Sequence, residues 1–235
     1  MKILALESSA TACSAALCED EKLIAQTFQN SGLTHSRTLM PMVESLLAQC
    51  EQTLADVDVV AVAAGPGSFT GLRIGVSTAK GLAWAGDKPC APCSTLESMA
   101  WQLAHMDGIV IAAMDARRNQ VYNAVFRARD GQLERLSLDR AIGLAELEEE
   151  IKRLEGPKVL VGDGAQLCYN EWQERMENLR LAPIHLRWQT AWGVARAALE
   201  LARTDGFVSG EQLAPVYHRL SQAERERLAK EQNKE

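Results

Sequence analysis

An α/β fold of two similar lobes is what this sequence predicts, on three observations. Strand-like and helix-like patterns follow one another in the order βββαβα, and that order occurs twice along the chain. The chain has 235 residues, enough for one large or two small domains with a sizeable core. Hydrophobic residues make up 47% and charged residues 24%, ordinary soluble usage that excludes disordered and fibrous classes.

Residues 2–7 (KILALE), 13–18 (CSAALC) and 22–28 (KLIAQTF) are short runs rich in Ile, Leu and Ala. SSATA and the charged turn EDE separate them, so they read as a three-stranded meander. In 34–50, Leu39, Met42, Val43, Leu46 and Leu47 recur at helical spacing as one apolar stripe, and Pro41 inside it implies a kink or a later start. The apolar strand 58–64, a glycine loop and a helix over about 71–85 complete the first set. STLE at 94–97 forms a capping box in which Ser94 caps and Glu97 reaches back, opening a helix that ends near His105. The second set runs through strands 109–115, 120–129 and 132–138, helix 143–154, strand 158–162, the turn GDGA and helix 165–177. No sequence repeat links the halves. The expected boundary divides residues 1–104, an N-terminal lobe with the partner-binding helices, from 105–235, a C-terminal lobe ending in a charged tail.

The loop in AAGPGSFTGLRIGVSTAKGLA (63–83) misses the familiar phosphate-binding spacings. It lacks the G-K-[S/T] end of a Walker loop, and Gly65, Gly67 and Gly71 are one residue too long for a dinucleotide fingerprint. Ser68 lacks the flanking glycines of a nucleophile elbow. An anion site at the helix start, with Thr70 as N-cap, stays open. Within the helix, Gly71, Gly75, Ala79 and Ala83 recur every fourth residue and leave a face that another backbone can approach. A glycine inside a helix costs about 1 kcal/mol against alanine, so Gly75 and Gly81 imply a contact worth that loss. Whether that neighbour is another chain or the protein's own sheet is left open by spacing alone.

The formal net charge of −6 argues against independent binding of nucleic acid, which needs a clustered cationic face. Glu7 ends the first apolar run too early for a secretory signal, and no segment is apolar enough to span a bilayer, so a cytoplasmic chain is expected. The six cysteines are then expected as free thiols filling the core. CAPC at 90–93 has redox spacing but lies at a strand end without thioredoxin order. Residues 221–235 carry four basic and four acidic side chains and one Leu, and read as a solvated tail.

The run GPGSFTGLRIGVSTAKGLA, together with ILALESSATACSAAL, THSRTLMPMVESLL, STLESMA, MDARRNQVY, VLVGDGA and APVYHR, resembles the bacterial TsaB family, also called YeaZ. The resemblance extends in order from residue 3 to about 219. It implies two ribonuclease H-like lobes of the actin/Hsp70-like ATPase superfold, in agreement with the doubled element order. It also implies a non-catalytic adaptor in the synthesis of threonylcarbamoyladenosine on tRNA. The partners would be the catalytic paralogue TsaD and the ATPase TsaE, with a homodimer when TsaD is absent, and tRNA met only within the complex.

The same resemblance places the two metal-binding histidines of TsaD on Thr95 and Met99 here, neither a ligand for a hard or borderline cation. No metal or other cofactor and no catalytic residue is therefore expected. His35, His105, His185 and His218 include no pair at helix-face spacing. The expected partner interface is His35, Leu39, Met42, Val43 and Leu46 on the first helix and Gly71, Leu72, Gly75, Val76 and Ala79 on the second. Glu7 stands where the family commonly shows Asp, near the nucleotide of the wider superfold. The rival reading is accordingly a small-molecule kinase or ATPase using the interlobe cleft. Asp115 with Arg117, Arg118, Arg127 and Arg129 is the best local basic patch, for tRNA or the partner or simply as charges at a hairpin end. Tyr217 and Arg219 match the family's P-x-Y-x-R, with packing as their only physical account.

Overall fold

The computed structural model describes residues 1–218, so Arg219 and the charged tail lie outside the described residues. The doubled order is present as two sheets. The first contains β1 (Lys2–Glu7), β2 (Cys13–Glu19), β3 (Lys22–Gln29), β4 (Val59–Gly65) and β5 (Cys90–Ser94), in spatial order β3-β2-β1-β4-β5. The second contains β6 (Gly108–Asp115), β7 (Gln120–Arg129), β8 (Gln132–Arg135), β9 (Arg140–Gly143), β10 (Lys158–Val161) and β11 (Leu179–Leu181), in order β8-β7-β6-β10-β11, with β9 also pairing β7. In each sheet the first three strands are antiparallel and the fourth and fifth are parallel to the first. Short turns join antiparallel neighbours, whereas helical crossovers join parallel ones. The first lobe thus has one strand more than the six-element pattern, β5, foreseen only as the strand end under CAPC, and the second has two more, the four-residue β9 and the three-residue β11.

Among the described residues, six α-helices form three layers around the sheets. On the first sheet, Leu4, Leu6, Ala15 and Leu17 point to one side and pack with α1 (His35–Gln49) and α2 (Phe69–Gly86). Ile3, Ala5, Ala16 and Cys18 point to the other and pack with α6 (Ala191–Ala202). On the second sheet, Ile109, Ile111 and Leu160 meet α4 (Leu144–Lys152) and α5 (Ala165–Trp172), while Val110, Ala112 and Phe126 meet α3 (Thr95–Trp101). The strand period of two is what sends alternate residues to opposite layers.

The two inner helices are exchanged between lobes. α3 follows the first sheet yet packs on the second, and α6 follows the second sheet yet packs on the first. No helix was expected over 191–202, because Ala191 to Ala198 is buried on nearly all sides and shows no clean apolar stripe. Although α6 lies in the 105–235 range, its packing belongs to the first sheet. The chain then returns along α2: Val208 exchanges backbone hydrogen bonds of 2.8 and 2.9 Å with Cys90, Leu213 is buried, and Val216 N donates to Ala64 O at 2.7 Å.

Two helix starts differ in detail from expectation. α2 is capped by Ser68 rather than Thr70: Ser68 is extended, its N–H donates to Ser9 O at 2.7 Å, and its Oγ accepts from Gly71 N at 3.3 Å. Ser94 caps α3 as expected, with Glu97 N to Oγ at 3.1 Å, but the Glu97 carboxylate goes to Arg135 Nη2 at 2.6 Å instead of reaching back. α1 runs through Pro41, which is exposed, so the missing backbone bond falls on the solvent side.

Candidate partner-binding site

The glycine loop is shaped by backbone contact. Gly65 has φ +141°, a region that side chains rarely adopt, and its Cα faces the Val216 carbonyl. A Cβ at Gly67 would lie 2.6 Å from Ser9 O, and one at Gly71 would overlap Ser8 O. Ser8 Oγ donates to Gly71 O at 3.0 Å. The loop is therefore wedged under the β1–β2 turn. Further along, Gly75 faces Ser8 Oγ and Val62, and Ala79 and Ala83 join the cluster between α2 and the first sheet. The Gly71–Gly75–Ala79–Ala83 face is thus occupied by the protein's own sheet.

Most of the residues expected at the partner interface face inward instead. Leu39, Val43, Leu46, Gly71, Leu72, Gly75, Val76 and Ala79 are all buried within the chain. The stripe marks a core face, and another chain cannot reach it without opening the lobe. Met42 is half-buried at the edge of the same cluster. His35 is half-buried, with Nε2 2.7 Å from Ala10 O, and ties the start of α1 to the β1–β2 turn. The solvent side of α1 carries Arg37, Pro41, Glu44, Ser45 and Ala48, and that of α2 carries Arg73, Ser77, Gly81, Trp84 and Ala85.

Between the lobes, Glu7 is fully buried, accepts from Ser9 N at 2.6 Å through Oε1, and leaves Oε2 without a partner. Burial pushes its carboxyl up to about 7, assisted by the charge of Asp163 from the second lobe. Asp163 is itself raised by burial and accepts from Gln189 Nε2 at 2.7 Å. Thr95 and Met99 are fully buried, and Met99 packs in the apolar cluster between α3 and the second sheet. Among the described residues no group of three or more His, Cys, Asp or Glu is placed to hold a metal ion.

The other signals resolve into structure. All six cysteines are free. Cys90 and Cys93 are buried, and burial raises both thiols, the opposite of an activated thiolate. Within the basic patch, Arg117 pairs with Asp115 at 3.4 Å, Arg127 with Glu134 at 3.2 Å and Arg129 with Asp130 at 3.5 Å, which offsets most of its charge. His105 and His185 are exposed, and no described helix is long and apolar enough to cross a membrane.

One cluster joins residues far apart in the chain. Phe69, Arg73 and Tyr217 meet at the start of α2: Tyr217 stacks on Phe69 with centroids 4.9 Å apart, and Arg73 Nε donates to Tyr217 Oη at 3.1 Å. Phe69 and Arg73 fall in the glycine run and Tyr217 in P-x-Y-x-R, so the motifs contained the signal. Their pairing across 144 positions did not show in one sequence.

Two sheets that share one five-strand order, the second with β9 added beside β7, and a helix from each lobe between them define a two-lobed protein of the actin/Hsp70-like ATPase fold. Residues 28–169 match the family model described as "TsaD: tRNA N6-adenosine threonylcarbamoyltransferase". The tRNA threonylcarbamoyladenosine biosynthesis protein TsaB of Bacillus subtilis is 38% identical over 167 residues, 71% of this chain and 73% of that one. Its counterpart in Escherichia coli is 32% identical over 222 residues, 93% and 95% of the two chains. The structure of YeaZ from Pseudomonas aeruginosa superposes with a TM-score of 0.75 at 27% identity, covering 92% of this chain and all of that one. This chain belongs to the TsaB (YeaZ) family.

Proposed function

We propose that this chain takes part in forming threonylcarbamoyladenosine on tRNA as a non-catalytic adaptor. It binds the transferase subunit TsaD through the outer faces of α1 and α2 and stabilises that subunit's competent form by binding it better than other forms. TsaE joins the assembly, tRNA is met only there, and a second copy of the chain occupies the same faces when TsaD is absent. Family membership supports the pathway. Gly81 carries the docking face: it lies inside α2, and nothing in the described chain comes within 4 Å of where its Cβ would be. Gly71 and Gly75 are accounted for by Ser8. The roughly 1 kcal/mol that Gly81 costs the helix is offset by no internal contact, and the close approach of another chain's backbone supplies one.

The test is purification of this chain with TsaD, followed by tRNA modification assayed with and without it. Stable association and a modification rate that collapses in its absence are expected. An isolated chain that hydrolyses ATP with magnesium, or modifies tRNA alone, overturns the reading in favour of a kinase or ATPase.

A further inference from the structure

The junction of the lobes holds buried oxygen atoms that nothing among the described residues satisfies. The chain passes between the lobes from Ser94 at the end of β5 to Thr95 at the start of α3, and again at Gln189 and Thr190 ahead of α6. Thr95 and Gln189 are buried, and among the described residues Thr95 Oγ1 and Gln189 Oε1 take no hydrogen bond. Glu7, at the end of β1, contributes an unmatched Oε2, and Ser9 an unmatched Oγ. Buried polar atoms left in this state cost stability, and a cluster of them between two lobes is short of donors.

Two of the groups here are carboxyls from opposite lobes. Glu7 is fixed on the first: its Oε1 accepts from Ser9 N at 2.6 Å, and Ser9 O accepts from Ser68 N, the N-cap of α2, at 2.7 Å. Asp163 belongs to the second, in the turn between β10 and α5, where its Oδ1 accepts from Gln189 Nε2 at 2.7 Å. The other titratable groups facing Glu7 are the Cys13 thiol of β2 and the Cys93 thiol of β5, both raised by burial and so neutral. Asp115, beside Asp163 at the end of β6, is paired with Arg117 at 3.4 Å. Among the described residues no lysine or arginine pairs with Glu7 or Asp163. Ionising both therefore sets two like charges in a buried junction with no side-chain cation between them.

We propose that Glu7 and Asp163 form a proton-operated latch between the lobes. With a proton on Glu7 one of the two charges is gone, its hydroxyl adds a donor to a junction short of donors, and the lobes stay closed. When Glu7 loses that proton, hydration of the two carboxylates favours separation of the GDGA turn from the β1–β2 turn, with the contact of Gly193 and Ser98 between α6 and α3 as the pivot. Burial, with the charge of Asp163 adding to it, holds Glu7 at about 7 in the closed chain against 4.5 in water. The closed junction thus binds the proton more tightly than an opened one, so opening becomes easier as pH rises from about 4.5 to about 7 and levels off above that. The latch concerns this chain alone and is independent of the adaptor reading.

Hydrogen exchange of the full chain between about pH 5 and 8, followed by mass spectrometry, tests this on the wild type, Glu7→Gln and Asp163→Asn, with thermal melts to verify folding. Segments 160–166 and 187–191 report on the junction, and α1 and α4, on the outer sides of the two sheets, serve as controls. Division by the exchange rate of the unfolded chain at each pH removes the chemical pH dependence. Opening of the wild-type junction is expected to increase about tenfold or more between about pH 5 and 7 and then to level off, while α1 and α4 change little. Glu7→Gln is expected to stay closed throughout, and Asp163→Asn to show a smaller effect with its midpoint at lower pH, because one of the two facing charges is gone. Wild-type and Glu7→Gln junctions that exchange alike at every pH overturn the latch. Protection lost from α1 and α4 in step with the junction assigns Glu7 to global stability alone and likewise overturns it, and an unmoved midpoint in Asp163→Asn overturns the pairing. Should Glu7→Gln not fold, the wild-type profile decides by itself, and a flat one overturns the proposal.

Discussion

Gly193 of α6 crosses α3 directly against the Ser98 carbonyl, where a Cβ would overlap the oxygen. Through this contact the two exchanged helices approach backbone to backbone between the sheets. Gly193→Ala is expected to cost about 2 kcal/mol, an overpacking penalty in a layer that cannot yield on either side. Thermal melts check it. A melting temperature equal to that of the wild type would mean that the inner layer separates without cost.

The glycines of α2 are expected to divide by side. Gly71→Ala, set against Ser8 O, should destabilise the isolated chain, whereas Gly81→Ala, with open space around it, should stabilise it by about 1 kcal/mol. In the complex Gly81→Ala should weaken association with TsaD instead. Chemical denaturation of the free chain and titration with TsaD measure the two effects separately, and a Gly81 variant that gains stability and keeps full affinity removes the argument for a close backbone approach there.

Charge placed on the inner stripe should unfold the lobe. Leu39 and Val76, 1% and 4% exposed, are core residues, and Leu39→Asp or Val76→Asp buries a carboxylate without a partner. Loss of the cooperative melt is expected for both, and retention of the fold for Ser77→Asp on the exposed face. Circular dichroism distinguishes the outcomes; folded Leu39→Asp protein would place the stripe outside the core.

Glu7 should make stability depend on pH. Its carboxyl is raised by burial from 4.5 to about 7 in the folded chain, so the folded state holds the proton more tightly than the unfolded one. That contribution is fully present below about pH 4.5 and is lost as pH rises through about 7, a change on the order of 3 kcal/mol. Glu7→Gln lacks this titration, so the variant should gain on the wild type between pH 5 and 8. Parallel stability curves over that range would show that Glu7 stays ionised in its pocket.

Much of the fold was legible because both regular structures announce themselves through period. KILALE, CSAALC and KLIAQTF became β1 to β3 within a residue at each end, and the stripe from Leu39 to Leu47 became α1. What escaped was α6, buried on almost every side and so without a stripe, and the short strands β9 and β11, four and three residues long. Most of the residues expected at the partner interface lie on the buried side of α1 and α2, because an apolar stripe tells which residues share a face and says nothing of what covers it.

Taken alone, the order of residues determined the two lobes, the outer helices and the glycine run, since these depend on local spacing and on backbone conformations that few residues permit. Tertiary structure alone decided that the stripes of α1 and α2 belong to the first sheet, that α3 and α6 change lobes, and that Tyr217 meets Phe69 and Arg73. Those outcomes depend on contacts between positions far apart in the chain, whose free energy becomes available only once both sheets have formed and closed the distance between them.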